Sequence, residues 1–140
     1  MSTTTAPAST LPAAELARLS WRFDDEAFNK GNLDVVEELI APDFVNHDPL
    51  PGQGNDRAAL GAYVPILRAA IPDLRVRNEL VAVQDDIVAH VIVFEGTHTQ
   101  PLGDLPPSGK PVTIRAHDFQ RWRGAQMTER WSAAVTEGLG

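Results

Sequence analysis

The chain has 140 residues, with 12 Lys and Arg against 19 Asp and Glu, for a net charge of −7 with His neutral. That length suits one domain, and with 43% hydrophobic residues such a domain buries roughly two-thirds of its unfolded surface, which allows a core and a pocket and excludes disorder throughout. The acidity disfavours nucleic acid and anionic membranes as partners, since both are bound through clustered Lys and Arg. The lack of any cysteine excludes disulfides, thiolate nucleophiles and zinc sites built on sulfur.

Residues 1–11 form a Ser, Thr, Ala and Pro leader that is expected to be flexible, without the basic residues or apolar run of a secretory signal. Residues 12–140 are read as a single domain. No stretch approaches the ~18 apolar residues of a membrane span, so a soluble, cytoplasmic chain is expected. Pro12 opens a helix whose apolar residues Leu16, Leu19, Phe23 and Ala27 recur at helical spacing as far as Asn29-Lys30-Gly31. Asn32 is placed to cap a second, short helix that Pro42 ends. Phe44 to Pro49 reads as a brief extended piece, followed by the turn-rich Leu50-Pro51-Gly52-Gln53-Gly54. Asn55 or Asp56 caps a third helix carrying Leu60, Tyr63, Ile66, Leu67 and Ala70, with a kink expected at Pro65.

The second half changes period. Arg75 to Gln84, Ile87 to His98, Val112 to Trp122 and Gln126 to Val135 are rich in β-branched residues and bounded by turn signals, which predicts an antiparallel sheet. Helices first and strands afterwards give an α+β domain, with the helices on one face of a curved sheet.

Two strand rows carry chemistry. One face of Ile87 to His98 holds Val88, His90, Ile92 and Phe94, and one face of the next strand holds Ile114, Ala116, Asp118 and Gln120. If His90 and Asp118 both face the helices, two titratable groups share a mostly apolar cavity, which is how a general acid or base is prepared. A lone His on an apolar face also fits a hydrogen-bonded core residue, and Asp118 also fits a structural partner of Arg130 or Arg115. His47 precedes a Pro/Gly loop, where pocket-mouth residues occur, although Asn46-His47-Asp48 equally suits turn chemistry. His98 and His117 carry less on spacing alone. Trp21 and Phe28 suit the core, and Trp21 also suits a pocket floor.

Arg115, Arg121, Arg123 and Arg130, interleaved with Trp122 and Trp131, read as a solvated sheet face rather than a nucleic-acid strip, given the overall charge. Gly103 to Lys110 is not a phosphate loop, because Pro111 stands where Ser or Thr is required. Four scattered His without ligand spacing predict no metal, so cofactor-free chemistry or simple ligand binding remains.

Asn29-Lys30-Gly31-Asn32-Leu33-Asp34, Phe44 to Pro49, Ile71-Pro72-Asp73-Leu74, Gly96-Thr97-His98, Ser108 to Val112 and Glu129-Arg130-Trp131 occur in an order that resembles the SnoaL-like polyketide cyclases. These belong to the superfamily named for nuclear transport factor two, which also includes ketosteroid isomerase and limonene epoxide hydrolase. The resemblance implies a cone-shaped α+β barrel around a hydrophobic pocket, a homodimer, and ring closure by intramolecular aldol condensation without metal or cofactor. By position, His47 and Asp118 match polar pocket residues of the family, and His90 matches a charged pocket residue of the epoxide hydrolases. The chain departs at Trp131-Ser132-Ala133-Ala134-Val135, where the cyclases and hydrolases carry an Asp, and at Ile92, which replaces the hydrolase's strand-three Asp.

The leading expectation is therefore a cofactor-independent cyclase or isomerase acting on a hydrophobic, carbonyl-containing small molecule. Asp118 is its base, and His47 and His90 polarise or protonate. Arg130 and Ser132 bind the oxyanion, and Trp21, Tyr63, Ile92, Phe94 and Ile114 contact the substrate. The alternatives are a non-catalytic module that binds a small ligand or a protein, and an epoxide hydrolase.

Overall fold

The spacing of Leu16, Leu19 and Phe23 does fold as a helix, α1 (Ala13–Asp24), with those residues buried along one side. The structure, a computed structural model, describes residues 10–50 and 52–139. The first nine residues of the expected leader lie outside the described residues, and Leu11 already packs against the core. The expected helix does not run to Lys30 in one form. After Asp24 it widens into a single π-helical turn (Asp25–Asn29), in which Lys30 N–H donates to Asp25 O at 3.2 Å. One extra residue in the turn swings Phe28 into the core, and Asn29 pairs with strand backbone, donating to Val76 O at 3.0 Å and accepting from Val76 N at 2.8 Å.

Helix α2 (Asp34–Leu39) starts where Asn32 Oδ1 accepts from Asp34 N, and ends earlier than Pro42 would require. Strand β1 (Ile40–Asn46) begins directly after it and runs through Pro42, which is tolerated at a sheet edge. Helix α3 (Arg57–Ala70) is capped by Asp56, whose carboxylate accepts from Ala59 N at 2.9 Å, and it continues through Pro65.

The remaining strands are β2 (Arg75–Gln84), β3 (Ile87–Thr97), β4 (Pro111–Arg123) and β5 (Gln126–Glu137), close to the predicted bounds. They form one sheet in the order β1-β5-β4-β3-β2. All pairs are antiparallel except β1 with β5, which is parallel. Among the described residues no helix is long and apolar enough to cross a membrane. The fold is α+β, helices against a mostly antiparallel open sheet, as expected.

Register places the site. The antiparallel pairing of β3 with β4 sets His90 opposite Asp118 and Phe94 opposite Ile114. On β5 the pairing skips Thr128, so that Met127 and Arg130 both face the helices despite their odd spacing. From Arg130 onward the inward row is Arg130, Ser132, Ala134 and Thr136, with Ser132 opposite Asp118.

Candidate active site

A cavity of about 220 Å³ lies between the helices and the sheet. Its walls are mostly apolar: Phe23 and Phe28 on one side, Leu60, Tyr63 and Leu67 of α3 above, Phe94, Ile114 and Met127 of the sheet below. Phe94 meets Phe28 edge to face at 5.1 Å between centroids, which fixes both rings. The charged and polar lining comes from Asp24, Asn46, Asp48, Asp118, Gln120, Arg130 and Ser132, together with Gln53, Tyr63 and Thr136.

Asp118 is buried, with Oδ2 3.3 Å from Arg130 Nη2 and 3.6 Å from His90 Nε2. The latter exceeds a hydrogen bond. Burial pushes its carboxyl up, but His90 and the Arg130 guanidinium outweigh this and hold it below the ordinary carboxylate range. Asp118 is thus ionised at neutral pH inside an apolar cavity. Its Oδ1 is buried without a hydrogen-bond partner among the described residues.

His90 stands behind the cavity wall, with a fully buried side chain. Its surroundings fix its tautomer. Gln120 Oε1 accepts from Trp122 Nε1 at 3.0 Å and from Ser20 Oγ at 2.8 Å, and an indole N–H can only donate, so the amide oxygen must face the tryptophan. Gln120 Nε2 then faces His90 Nε2 at 3.3 Å and donates to it. Neutral His90 therefore carries its proton on Nδ1, which is 3.8 Å from Asp24 Oδ2. Burial lowers the proton affinity of His90, while the carboxylates of Asp118 and Asp24 raise it further than burial lowers it.

Asp24 was not singled out by the sequence reading. It is buried at the end of α1, lines the cavity, and has Oδ2 without a hydrogen-bond partner. Burial lifts its carboxyl to about 7, with Asp118 adding to the rise and His90 and Arg130 opposing it. The signal was available: Leu16, Ser20, Phe23, Asp24 and Ala27 share one helical face.

The other expected residues divide. Tyr63, Phe94, Ile114, Arg130 and Ser132 line the cavity with Asp118. Burial raises the Tyr63 phenol above its ordinary value, with Arg130 partly opposing the rise. His47, Trp21 and Ile92 do not line it, and His90 adjoins it through Gln120, Asp118 and Asp24. His47 is corrected by one residue of strand parity. Asn46 and Asp48 face the cavity, whereas His47 turns to the outer face, with Nε2 2.8 Å from Glu129 and its ring stacked on Trp131 at 4.8 Å. The turn reading of this segment also holds, since Asn46 Oδ1 accepts from Asp48 N and Asp48 Oδ2 from Ser132 N. Trp21 lies partly buried against the core, and Ile92 is sealed within it, because their neighbours on α1 and β3 occupy the wall positions. Arg115, Arg121 and Arg123 are paired with Glu79, Glu129 and Asp43 on the outer side. His98 is buried near the loop after β3, where its Nδ1 accepts from Ser108 N.

Among the described residues no group of three or more His, Asp or Glu is arranged to hold a metal ion. The chemistry within reach of the cavity is proton transfer by carboxylates and anion binding by Arg130.

Solved structures of the same shape are numerous. IdmH of Streptomyces antibioticus, a proposed polyketide cyclase, is 27% identical with a TM-score of 0.71, covering 86% of this chain and 91% of that one. A proposed polyketide cyclase of Acidithiobacillus ferrooxidans is 24% identical with a TM-score of 0.73, over 89% and 91%. AclR of Streptomyces galilaeus, a proposed hydroxylase, has the same fold at 20% identity and a TM-score of 0.73, over 89% and 91%. No curated protein sequence matches the chain at a significant level. The sequence profile of the family described as "SnoaL-like polyketide cyclase" matches residues 18–134, which includes all of the sheet but the end of β5 and the cavity carboxylates Asp24, Asp48 and Asp118, and the chain belongs to that family.

Proposed function

We propose that the protein is a cofactor-independent cyclase or isomerase that removes a proton next to a carbonyl of a hydrophobic, polyketide-like molecule. The observation that carries this is the ionised Asp118 set beside Arg130 in a cavity with mostly apolar walls. The carboxylate is ionised and so able to take a proton, and the guanidinium beside it is placed to bind the enolate oxygen that proton removal creates. Family membership supports the same reaction class.

The steps follow from the wall. Tyr63, Phe94 and Ile114 hold the apolar body of the ligand and exclude water. Asp118 takes the proton on the carbon beside the carbonyl, and the electron pair of that C–H bond moves into the enolate. Arg130 and Ser132 stabilise the oxyanion. The enolate carbon then attacks a second carbonyl of the same molecule in a cyclase, or is reprotonated elsewhere in an isomerase. An engineered cavity of roughly 150 Å³ holds benzene. At about 220 Å³ this one takes a ligand larger than a single ring.

The test is exchange of the acidic C–H protons of the bicyclic ketone 2-tetralone in D2O, followed by proton NMR. The wild-type chain is expected to accelerate exchange over buffer, and Asp118→Asn to lose at least roughly 100-fold of that acceleration, the low end of a general base's contribution. An Asp118→Asn chain that exchanges as fast as wild type contradicts the proposal. Failure of any exchange, with unaltered ketone bound, favours a module that holds its ligand without changing it, a reading suggested by Ser132 standing where the family carries a last-strand Asp.

A further inference from the structure

We infer that Asp24 is the proton donor of this site, a second acid/base residue that protonates the ligand oxygen while Asp118 takes the proton from carbon, and that His90 is the positioning residue that aims it. This rests on the reading of the cavity as an acid/base site. Four independent features of the molecule support it.

First, the two carboxyls line one cavity from different layers, Asp24 from α1 and Asp118 from β4, on either side of the His90 ring, so one ligand in the cavity meets both. Second, the charged and titratable groups around Asp24 are disposed to separate the two proton affinities. Facing Asp24 are His90 from β3, Asp118 from β4 and Arg130 from β5, while Tyr63 of α3 lines the same cavity. Arg130 stands directly against Asp118 at 3.3 Å and not against Asp24, so the guanidinium favours the anion on Asp118. Where two carboxyls are driven apart in this way, the one that keeps its proton is the acid and the other the base. Third, the tautomer of His90 is dictated by Gln120, and it presents an N–H to Asp24 Oδ2, which leaves the other carboxyl oxygen to carry the proton. The 3.8 Å separation is longer than a hydrogen bond, as is common before a ligand tightens a site. Fourth, Asp24 is the last residue before the π-helical turn, an element found frequently at functional positions. Among the described residues the buried Asp24 Oδ2 has no hydrogen-bond partner, and its one ionic neighbour is His90 at 3.8 Å.

The step balances. The C–H pair becomes the enolate π bond as Asp118 gains a proton. The π electrons of the adjacent C=O bond take the proton of Asp24 as the C=C forms, which gives the neutral enol; the enol then picks up a solvent deuteron at carbon in exchange, or attacks a second carbonyl in a cyclase. Asp118 ends neutral and Asp24 ends ionised. Solvent reaching the emptied cavity returns one proton to Asp24 and removes one from Asp118, so no net proton, oxidant or reductant is consumed.

The experiment measures 2-tetralone exchange against pH for the wild type, Asp24→Asn, His90→Gln and Asp118→Asn chains. The wild-type rate is expected to fall on the alkaline side as Asp24 loses its proton. Asp24→Asn, a neutral side chain of the same shape, is expected to lower the plateau at least roughly tenfold and to abolish the alkaline fall. His90→Gln keeps Asp24 but removes the ring beside it, and is expected to move the alkaline fall to higher pH. A merely structural Asp24 would change thermal stability without reshaping the profile. An alkaline fall that survives Asp24→Asn overturns the inference, as does one that stays in place in His90→Gln, which covers the case of an Asp24→Asn chain that does not fold. Loss of exchange in Asp118→Asn separates the two claims: if it persists while the alkaline fall survives Asp24→Asn, only the role of Asp24 is lost. Carboxyl carbon NMR of the ligand-free chain, with Asp24 assigned by its absence from Asp24→Asn, is expected to show it titrating near neutrality. Titration in the ordinary carboxylate range overturns the inference without reference to any ligand.

Discussion

Asp24 and Asp118 carry the same functional group, but burial lifts the first to about 7, while His90 and Arg130 hold the second below its ordinary value. The difference has a thermodynamic consequence. An unfolded Asp loses its proton near 4, whereas folded Asp24 keeps it to about 7, so between those values the folded state binds more protons than the unfolded one. Stability from this group is therefore fully present below pH 4 and is lost as pH rises through 7. Asp24→Asn, which cannot ionise, is expected to match the wild type near pH 4 and to exceed it by on the order of 1–3 kcal/mol at pH 8, checked by urea denaturation at both values. Asp118 has the opposite sign: its depressed value contributes stability above pH 4 that is lost only as pH falls through its folded value. A wild-type advantage over Asp24→Asn at pH 8 would mean that Asp24 is a stabilising ion rather than a strained one.

At the scale of elements, the wall holding Asp24 depends on how α1 is joined to the sheet. Asn29 does this, since its amide pairs with both the N–H and the C=O of Val76 and so extends the edge strand by one side chain. Asn29→Ala leaves those groups unpaired and is expected to lower stability by about 1–3 kcal/mol, measured by thermal unfolding. Gly96 on β3 faces the turn after α3, and a Cβ there would overlap Ile71 Cγ2 and crowd Asp73 Oδ1. Gly96→Ala is expected to cost about 1–3 kcal/mol by the same measurement, since the clash is with a buried side chain on a rigid turn. The strands were legible in the sequence because alternation and turn signals mark their ends and faces, which put His90 and Asp118 on candidate inward rows; their direct opposition depends on the register across the 98–110 connection, which alternation does not set. Asp24 shares the buried face of α1 with Leu16, Ser20 and Phe23, but that spacing alone does not set its carboxylate apart from a helix-end charge, and the π-helical turn after it cannot be inferred from apolar spacing. His47 was misplaced by one residue because β1 is short and its pairing with β5 is irregular between Ile40 and Val45, so no long alternation sets its parity.

For the whole molecule, the side of the sheet away from the helices is incompletely covered. Leu80, Phe119 and Val135 are 65%, 52% and 62% exposed, large values for apolar residues on central and edge strands. We propose that a second copy of the chain covers this face. Light scattering is expected to report a dimer, and Phe119→Glu to shift it towards monomer without altering the cavity on the opposite side of β4. A monomeric wild type would remove this proposal and leave the site intact. The family fold joins this face and the cavity through shared strands, so residues alternate between the two roles along β4 and β5, and Asp118 and Phe119 are neighbours with opposite tasks.

The claim that unites these scales is that the cavity is built to hold an enolate. 2-Naphthol has the shape and oxygen position of the enol of 2-tetralone, and naphthalene lacks only the oxygen. The account predicts, by calorimetric titration, that 2-naphthol binds the wild-type chain at least tenfold more tightly than naphthalene, about 1.4 kcal/mol, and that Arg130→Gln abolishes the difference. Equal affinities in the wild type, or a preference that survives Arg130→Gln, would contradict it.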